Sequence, residues 1–439
     1  MNVLLVNPPL YDFAAHNFWM KPYGLLQIAT VLKLSGSSVC FFDFCDTLHQ
    51  SITDRRLRRD SYGRSKLPAK VVGRPAPFAS FNRRYRRYGL PISVFACFLD
   101  EQLSEKGNFD AALITSSMTY WYPGVFEVIQ FLKERFGRDF PIFVGGTYST
   151  LCSDHLRSKL TVNGIYTRNG WLGESFPLPN DFDFQPADFS LYKNLSFGVT
   201  RLSRGCPFRC TYCASAVLEP KFRLRPLDLV WEELRPLAKR NVRDIAFYDD
   251  SLLTHSEHLK AFAEAIKREN FNFRFHTPNG LHARYISPEV ARLLKETSFE
   301  TIFIGYECAD EKILTEIGGK VFFDEVKYAL QNLKDSGFPP QRITLYALIG
   351  HPKIGYEALE HSISEAEKLG VRIMLAEYSP IPQTPDGETA LKRFSLDAHQ
   401  EPLFSNNTYF TELVLGTEKV QRLKDRVRLH NQRIAGFLK

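Results

Sequence analysis

The chain has 439 residues, 44% of them apolar and 24% charged, with a net charge of +7. That length suits two or three domains, and the composition is that of a folded globular protein rather than a disordered or fibrous one. No apolar run is long enough to span a membrane, the start Met-Asn-Val-Leu-Leu-Val-Asn-Pro-Pro lacks a basic signal-peptide region, and five of the eight cysteines are scattered. These features predict a cytoplasmic protein without membrane insertion and without a secreted disulfide framework.

The positive charge is local. Between Arg55 and Arg87 stand twelve Lys or Arg and one acid, Asp60, so this stretch carries +11 and the remainder −4. The chain reads as a mildly acidic protein with one basic insertion, at 50–95.

Val3–Asn7 reads as a short apolar strand ended by Pro8-Pro9. Gly24–Ser35 has helical periodicity (Leu25, Ile28, Ala29, Leu32) and stops at Gly36, and Val39–Asp43 is a second strand. After the insertion come a strand at Ala111–Thr115, a helix at Val125–Phe136, and a strand at Ile142–Val144 that runs into Gly145-Gly146. Strands without polar alternation, separated by helices, predict a parallel sheet covered on both faces. Ligands of such sheets bind at the C-terminal strand ends, here the turns after Asn7, Thr115 and Gly145-Gly146.

Residues 175–192 hold three prolines and little periodicity, and read as a linker. From Phe197 the βα rhythm restarts, with strands expected at Gly198–Leu202, Asp244–Tyr248, Asn272–His276, Thr301–Tyr306, Arg342–Ile349 and Arg372–Tyr378. The expected class is therefore α/β: a Rossmann-like parallel-sheet domain (1–174), the linker, a (β/α)6 partial TIM barrel (193–385) and a small C-terminal extension (386–439).

The most informative segment directly follows the first strand of the second series. Cys206, Cys210 and Cys213 stand at C-x3-C-x2-C spacing in Arg-Gly-Cys-Pro-Phe-Arg-Cys-Thr-Tyr-Cys, with no fourth cysteine nearby. Three thiolates on a four-iron cluster leave one iron open to a substrate or cofactor. A structural zinc site needs a fourth ligand from a distant residue, and a redox dithiol needs only two cysteines.

C-x3-C-x-aromatic-C after the first strand of a βα series resembles the radical S-adenosylmethionine (SAM) superfamily. The resemblance implies a [4Fe–4S] cluster on Cys206, Cys210 and Cys213 that cleaves SAM to a 5′-deoxyadenosyl radical. It also implies SAM contacts at strand ends. Tyr212 lies in the motif, Asp249 and Asp250 follow the second strand, where the family's usual Gly-Gly-Glu is replaced, Asn279 follows the third, and Glu307 lies in Gly305-Tyr306-Glu307-Cys308, similar to a Gly-x-Glu-Ser element.

The first half is similar to the subgroup with an N-terminal cobalamin (B12)-binding domain: Asn7-Pro8-Pro9 after a strand, Gly24-Leu25 in a helix, and Gly145-Gly146 followed by Thr150. This implies a cobalamin site involving Asn7, Pro8, Gly145, Gly146 and Thr150. No Asp-x-His-x-x-Gly is present, so no histidine from that motif ligates cobalt.

The resemblance implies an enzyme, either a cobalamin-dependent methyltransferase acting on carbon or a catalyst of radical rearrangement, with an electron donor such as flavodoxin or ferredoxin. Two alternatives compete: a methylthiotransferase-like modification of RNA or protein, and a non-catalytic Fe–S or cobalamin-binding partner. The first calls for a second cysteine set, which Cys40, Cys45 and Cys97 do not match. The Arg55–Arg87 stretch, with Tyr85 and Tyr88 interleaved, could contact nucleic acid by charge and stacking, or pair within the protein or with an anionic substrate.

Overall fold

A computed structural model of the chain describes residues 1–52, 57, 59–179 and 181–436. Its contacts divide into two units. The first comprises Met1–Gly198, Asp228–Val242 and Leu396–Asn406, and the second Val199–Leu227, Arg243–Ser395 and Asn407–Lys439.

In the first unit, β1 (Asn2–Asn7), α1 (Tyr23–Leu34), β2 (Ser38–Asp43), α2 (Ile92–Lys106), β3 (Ala111–Ser116), α3 (Tyr122–Phe136), β4 (Ile142–Gly146), β5 (Gly164–Thr167) and β6 (Gly170–Gly173) follow in turn. The sheet order is β6-β5-β4-β3-β1-β2. All pairs are parallel except β5 with β6. Every residue of β1 is buried, as expected of a central strand covered on both faces. Val3, Leu5, Leu25, Ala29, Leu32, Val39, Leu113 and Phe143 share one apolar core. The chain leaves β1 toward β2 on one side and returns as β3 on the other. That makes the C-terminal ends of β1 and β3 the topological switch point of the sheet.

α3 begins three residues before the predicted Val125, because Pro123 suits a helix's first turn. Its Gly124 is needed for packing, since a Cβ there would sit 1.7 Å from the Pro9 carbonyl oxygen.

The basic insertion is built into this unit. Arg86–Tyr88 forms the middle strand of a small antiparallel sheet between Leu10–Asp12 and Ala69–Val71. Tyr85 and Tyr88 are buried, and Tyr85 packs with Phe13 and Phe78. Arg87 forms an ion pair with Glu127 (2.9 Å), and Arg86 donates to the Phe13 carbonyl. The stacking part of the nucleic-acid reading is thereby corrected: these rings face the core and offer no base a platform. Arg55, Arg56 and Arg58 lie outside the described residues.

In the second unit, β7 (Phe197–Thr200, whose first two residues fall in the first unit), β8 (Asp244–Phe247), α4 (Ser256–Glu269), β9 (Arg274–His276), α5 (Pro288–Glu296), β10 (Phe299–Glu307), α6 (Phe323–Asp335), β11 (Ile343–Ile349), α7 (Tyr356–Lys368) and β12 (Arg372–Glu377) repeat the βα rhythm. The six strands lie side by side in chain order, β8 to β12 pairing in parallel. Among the described residues β7 and β12 are the two edges, so the sheet is an open arc.

Residues 396–406 group with the first unit, while α8 (Pro385–Arg393), α9 (Asn407–Leu415) and α10 (Thr417–Ile434) belong to the second. α10 covers the β12 edge, turning Val420, Leu423, Val427 and His430 inward. Its Asn431 takes both the N–H and the C=O of Ile373, and His430 meets the Val371 carbonyl at 2.7 Å. A paired edge cannot recruit another strand.

Gly124→Ala should destabilise the protein by about 1–3 kcal/mol through overpacking against Pro9. Gly24→Ala should be neutral or stabilising, because nothing lies within 4 Å of a Cβ there. Denaturant midpoints of the two variants check the contrast.

Candidate active site

The cysteine loop is a closed device. Ser203–Arg204 pairs antiparallel with Arg223–Leu224 and shuts its base. Arg204 forms an ion pair with Glu219 beside that ladder. Gly205 enters the loop at φ +76°, and a Cβ there would come within 2.5 Å of the Lys221 carbonyl oxygen, so the turn requires glycine. Arg209 ties the inner faces, donating to the carbonyls of Cys206 (3.0 Å) and Pro220 (3.1 Å). Between the second and third cysteines the Cys213 N–H donates to Cys210 O (3.1 Å), and the Thr211 N–H donates to Ile317 O (3.1 Å).

The loop carries three thiols to one cavity of about 260 Å³, lined also by Phe208, Tyr212, Ser215, Ala216, Asp250, Asn279, His282 and Lys320. Among the described residues no three His, Cys, Asp or Glu groups converge tightly enough for a single ion. The three cysteines line one cavity, and three thiolates on a four-iron cluster leave one iron open. The donor set therefore fits a [4Fe–4S] cluster: three soft thiolates and no fourth cysteine on the wall.

Burial pushes the Cys210 thiol up to about 11 and raises Cys206 as well. The metal-free thiols are thus held protonated, and metal uptake releases their protons. Ser215 is placed to stabilise sulfur charge: its N–H lies 3.4 Å from the Cys213 Sγ.

Lys320 is the cationic group at this wall. It lies 3.7 Å from Glu307. Burial alone would draw its pKa down. The Glu307 carboxylate is the foremost influence that offsets this, and the lysine stays above its ordinary value. The Ile317–Lys320 segment lies directly on the cysteine loop: a Cβ on Gly318 would sit 2.8 Å from the Cys210 Cα. Glu307 ends β10 at φ +63°, at a register shift, an uncommon backbone for a non-glycine residue. Burial first, and then the nearby Glu307 carboxylate, hold the Tyr212 pKa well above the tyrosine range.

The structure thus brings Tyr212, Asp250 and Asn279 to the cavity with the cysteines, and Glu307 beside it through Lys320. Asp249 is engaged elsewhere. Its buried carboxylate accepts from the N–H of Leu202 (3.1 Å) and from Ser203 Oγ (2.6 Å), and burial raises it to about 6. It ties the start of the cysteine segment to the end of β8. Lys320, His282 and Ser215 were not singled out from sequence. The first two reach the wall by loop folding that no local pattern announces.

Residues 200–366 match the Radical SAM superfamily. The chain carries a radical SAM domain. An uncharacterized methyltransferase of Pyrococcus horikoshii is 28% identical over 204 residues, 45% of this chain and 42% of that protein, so the chain spans less than half of this relative's length. The fold resembles that of TsrM, a radical S-adenosylmethionine methyltransferase from Kitasatospora setae solved with cobalamin and a [4Fe–4S] cluster bound. The likeness covers 89% of this chain and 75% of that one, with a TM-score of 0.62 and 15% identity. It also resembles OxsB, a cobalamin-dependent S-adenosylmethionine radical enzyme, over 96% of this chain and 56% of that one, with a TM-score of 0.55 and 13% identity. At these identities the likeness is one of fold.

The residues expected to face cobalamin have partners within the first unit. Asn7 donates to Asp43 (2.6 Å), and Thr150 donates to the Gly146 carbonyl (2.9 Å). Gly146, at φ +104°, is needed because a Cβ would sit 2.1 Å from the Ser116 oxygen; Pro8 is buried, and the Gly145 carbonyl accepts from Ser116 Oγ (2.8 Å). These residues shape the strand ends of the first sheet. Cys40, Cys45 and Cys97 have separate surroundings: Cys40 contacts Gln102, Cys45 contacts Pro8 O, and Cys97 is exposed on α2. They do not form the second cysteine set of a methylthiotransferase.

In metal-free protein, Lys320→Met should cost more stability than Lys320→Met combined with Glu307→Gln, because the single change leaves a buried carboxylate without its cation. A denaturant double-mutant cycle should give a coupling of about 1 kcal/mol or more. Additive costs would show that the two groups do not interact.

Proposed function

We propose that the chain is a radical SAM enzyme, with its cluster on Cys206, Cys210 and Cys213, and that it belongs to the cobalamin-dependent, methyl-transferring branch. The observation that carries the first part is the meeting of three thiols, Asp250, Asn279 and Lys320 on one cavity inside the radical SAM domain. When bound, a cluster of this kind supplies the electron that cleaves the SAM sulfonium.

This chain's residues have complementary tasks. The three cysteines give up their protons and hold iron. Lys320 offsets negative charge gathered beside Cys210, including that of Glu307. Asp250, held by Ser215 Oγ (3.2 Å), presents a carboxylate suited to an amino group. Asn279, bonded through Nδ2 to the Asp249 carbonyl (3.3 Å), presents its amide oxygen to donors at the cavity. Phe208 and Tyr212 form aromatic walls that reduce access of water.

The methyl-transferring reading is supported by the methyltransferase name of the Pyrococcus relative and by the fold shared with TsrM and OxsB. The switch point at β1 and β3 is where an open α/β sheet takes its ligand, and cobalamin is the ligand proposed there. An electron donor such as flavodoxin or ferredoxin and a substrate not yet identified complete the scheme.

Protein reconstituted anaerobically, reduced and given SAM should release 5′-deoxyadenosine, and S-adenosylhomocysteine as well if methyl transfer operates. The Cys206→Ala, Cys210→Ala, Cys213→Ala triple variant should release neither. Equal release by wild type and variant would overturn the enzyme reading.

Separately, the full chain incubated with hydroxocobalamin and desalted should retain the absorbance of bound corrinoid. Loss of all colour on desalting would remove the cobalamin assignment and leave the radical SAM assignment standing.

A further inference from the structure

One charged constellation beside the cysteine loop has no part in the scheme above. Asp386 lies twenty residues beyond the end of the matched domain, at the start of α8. It is 5% exposed, and three side chains donate to its carboxylate. Lys353 Nζ lies 2.9 Å from Oδ1, His351 Nε2 lies 3.1 Å from Oδ2, and the Thr211 hydroxyl donates to Oδ2. The Asp386 N–H returns a bond to the Thr211 carbonyl (3.0 Å). Burial would raise this carboxyl, but the three donors outweigh it and hold it far below the usual range.

Thr211 is the residue after Cys210 and stands two before Cys213. All its polar groups are engaged: the N–H to Ile317, and the carbonyl and hydroxyl to Asp386. Lys353 also donates to the Glu316 carbonyl (3.4 Å), so it joins Asp386 to the segment that carries Lys320. His351 packs edge-on against Tyr378, ring centres 4.6 Å apart, which fixes the donor from behind. The N-terminal cap of α8 is supplied by Thr384, whose hydroxyl accepts from Gly387 N–H (3.1 Å). Asp386 is therefore not needed to start the helix.

We infer that Asp386 is a positioning residue for the cluster, clamping the backbone between the second and third cysteines through Thr211. This rests on the radical SAM reading and adds a structural post from outside the matched domain. A buried carboxylate fed by ionisable donors is a strong, geometrically demanding anchor, and groups that orient metal ligands often carry a large share of metal affinity.

The test uses the full chain as wild type, Asp386→Ala, Asp386→Asn and Thr211→Val. Each is reconstituted anaerobically and assayed for iron and sulfide content, the electron paramagnetic resonance of the reduced cluster, and iron release to a ferrous chelator. Thermal melts of the metal-free proteins monitor the fold. Asp386→Ala should release iron about tenfold faster than wild type or more, with an altered resonance. Asp386→Asn should fall between, and Thr211→Val, which leaves the carboxylate with His351 and Lys353, should shift both readouts in the same direction. Release within about twofold of wild type in folded Asp386→Ala and Thr211→Val would overturn the inference. Should Asp386→Ala not fold, Thr211→Val decides alone. Failure of wild type to take up iron would overturn the radical SAM reading, and this inference with it.

Discussion

Three thiols can hold a multi-iron centre only if the backbone keeps them apart at a set spacing while a fourth position stays open. A run of eight residues cannot impose that on itself. Here the spacing is imposed from three directions. A two-residue antiparallel ladder closes the loop at its base. Arg209 draws the Cys206 and Pro220 carbonyls together. Thr211 is fastened to Ile317 on one side and to Asp386 on the other. Much else in the second unit serves this arrangement: the glycines at 205 and 318 exist so that neighbouring backbone can come close.

The same crowding sets the electrostatics. Removing thiols from water raises their pKa values, which opposes ligation until a metal displaces the protons. Concentrating Glu307, Asp250 and three sulfur ligands in one place would be costly without a cation. Lys320 provides it, and its own ammonium is kept charged above all by Glu307. Glu307 reaches this position on a backbone that non-glycine residues seldom adopt. Such a conformation persists only where surrounding contacts over-determine it.

The first unit follows a different constraint. Its sheet places β1 between β2 and β3, so a crevice forms at the strand ends because neighbouring crossovers run in opposite directions. The glycines there are explained by backbone contacts, Gly124 against Pro9 and Gly146 against Ser116. The basic insertion, conspicuous by charge, folds into a small sheet whose tyrosines are core and whose Arg87 is neutralised by Glu127.

Local sequence determined a good deal. The three cysteines, the two βα series and the parallel character of both sheets, the antiparallel β5–β6 pair apart, were legible because spacing and apolar periodicity are properties of neighbouring residues. So was the position of Asp250 and Asn279 at strand ends. What only the tertiary structure decided are the roles that depend on residues far apart in the chain. Asp249 and Asp250 are adjacent, yet one is spent on Leu202 and Ser203 and the other faces the cavity. Lys320 reaches the cysteines by a loop folding back, and Asp386 meets Thr211 across 175 positions. The alternation of Arg and Tyr at 83–88 is the same string whether its rings bind a base or fill a core. Burial separates those outcomes, and burial is a property of the folded chain.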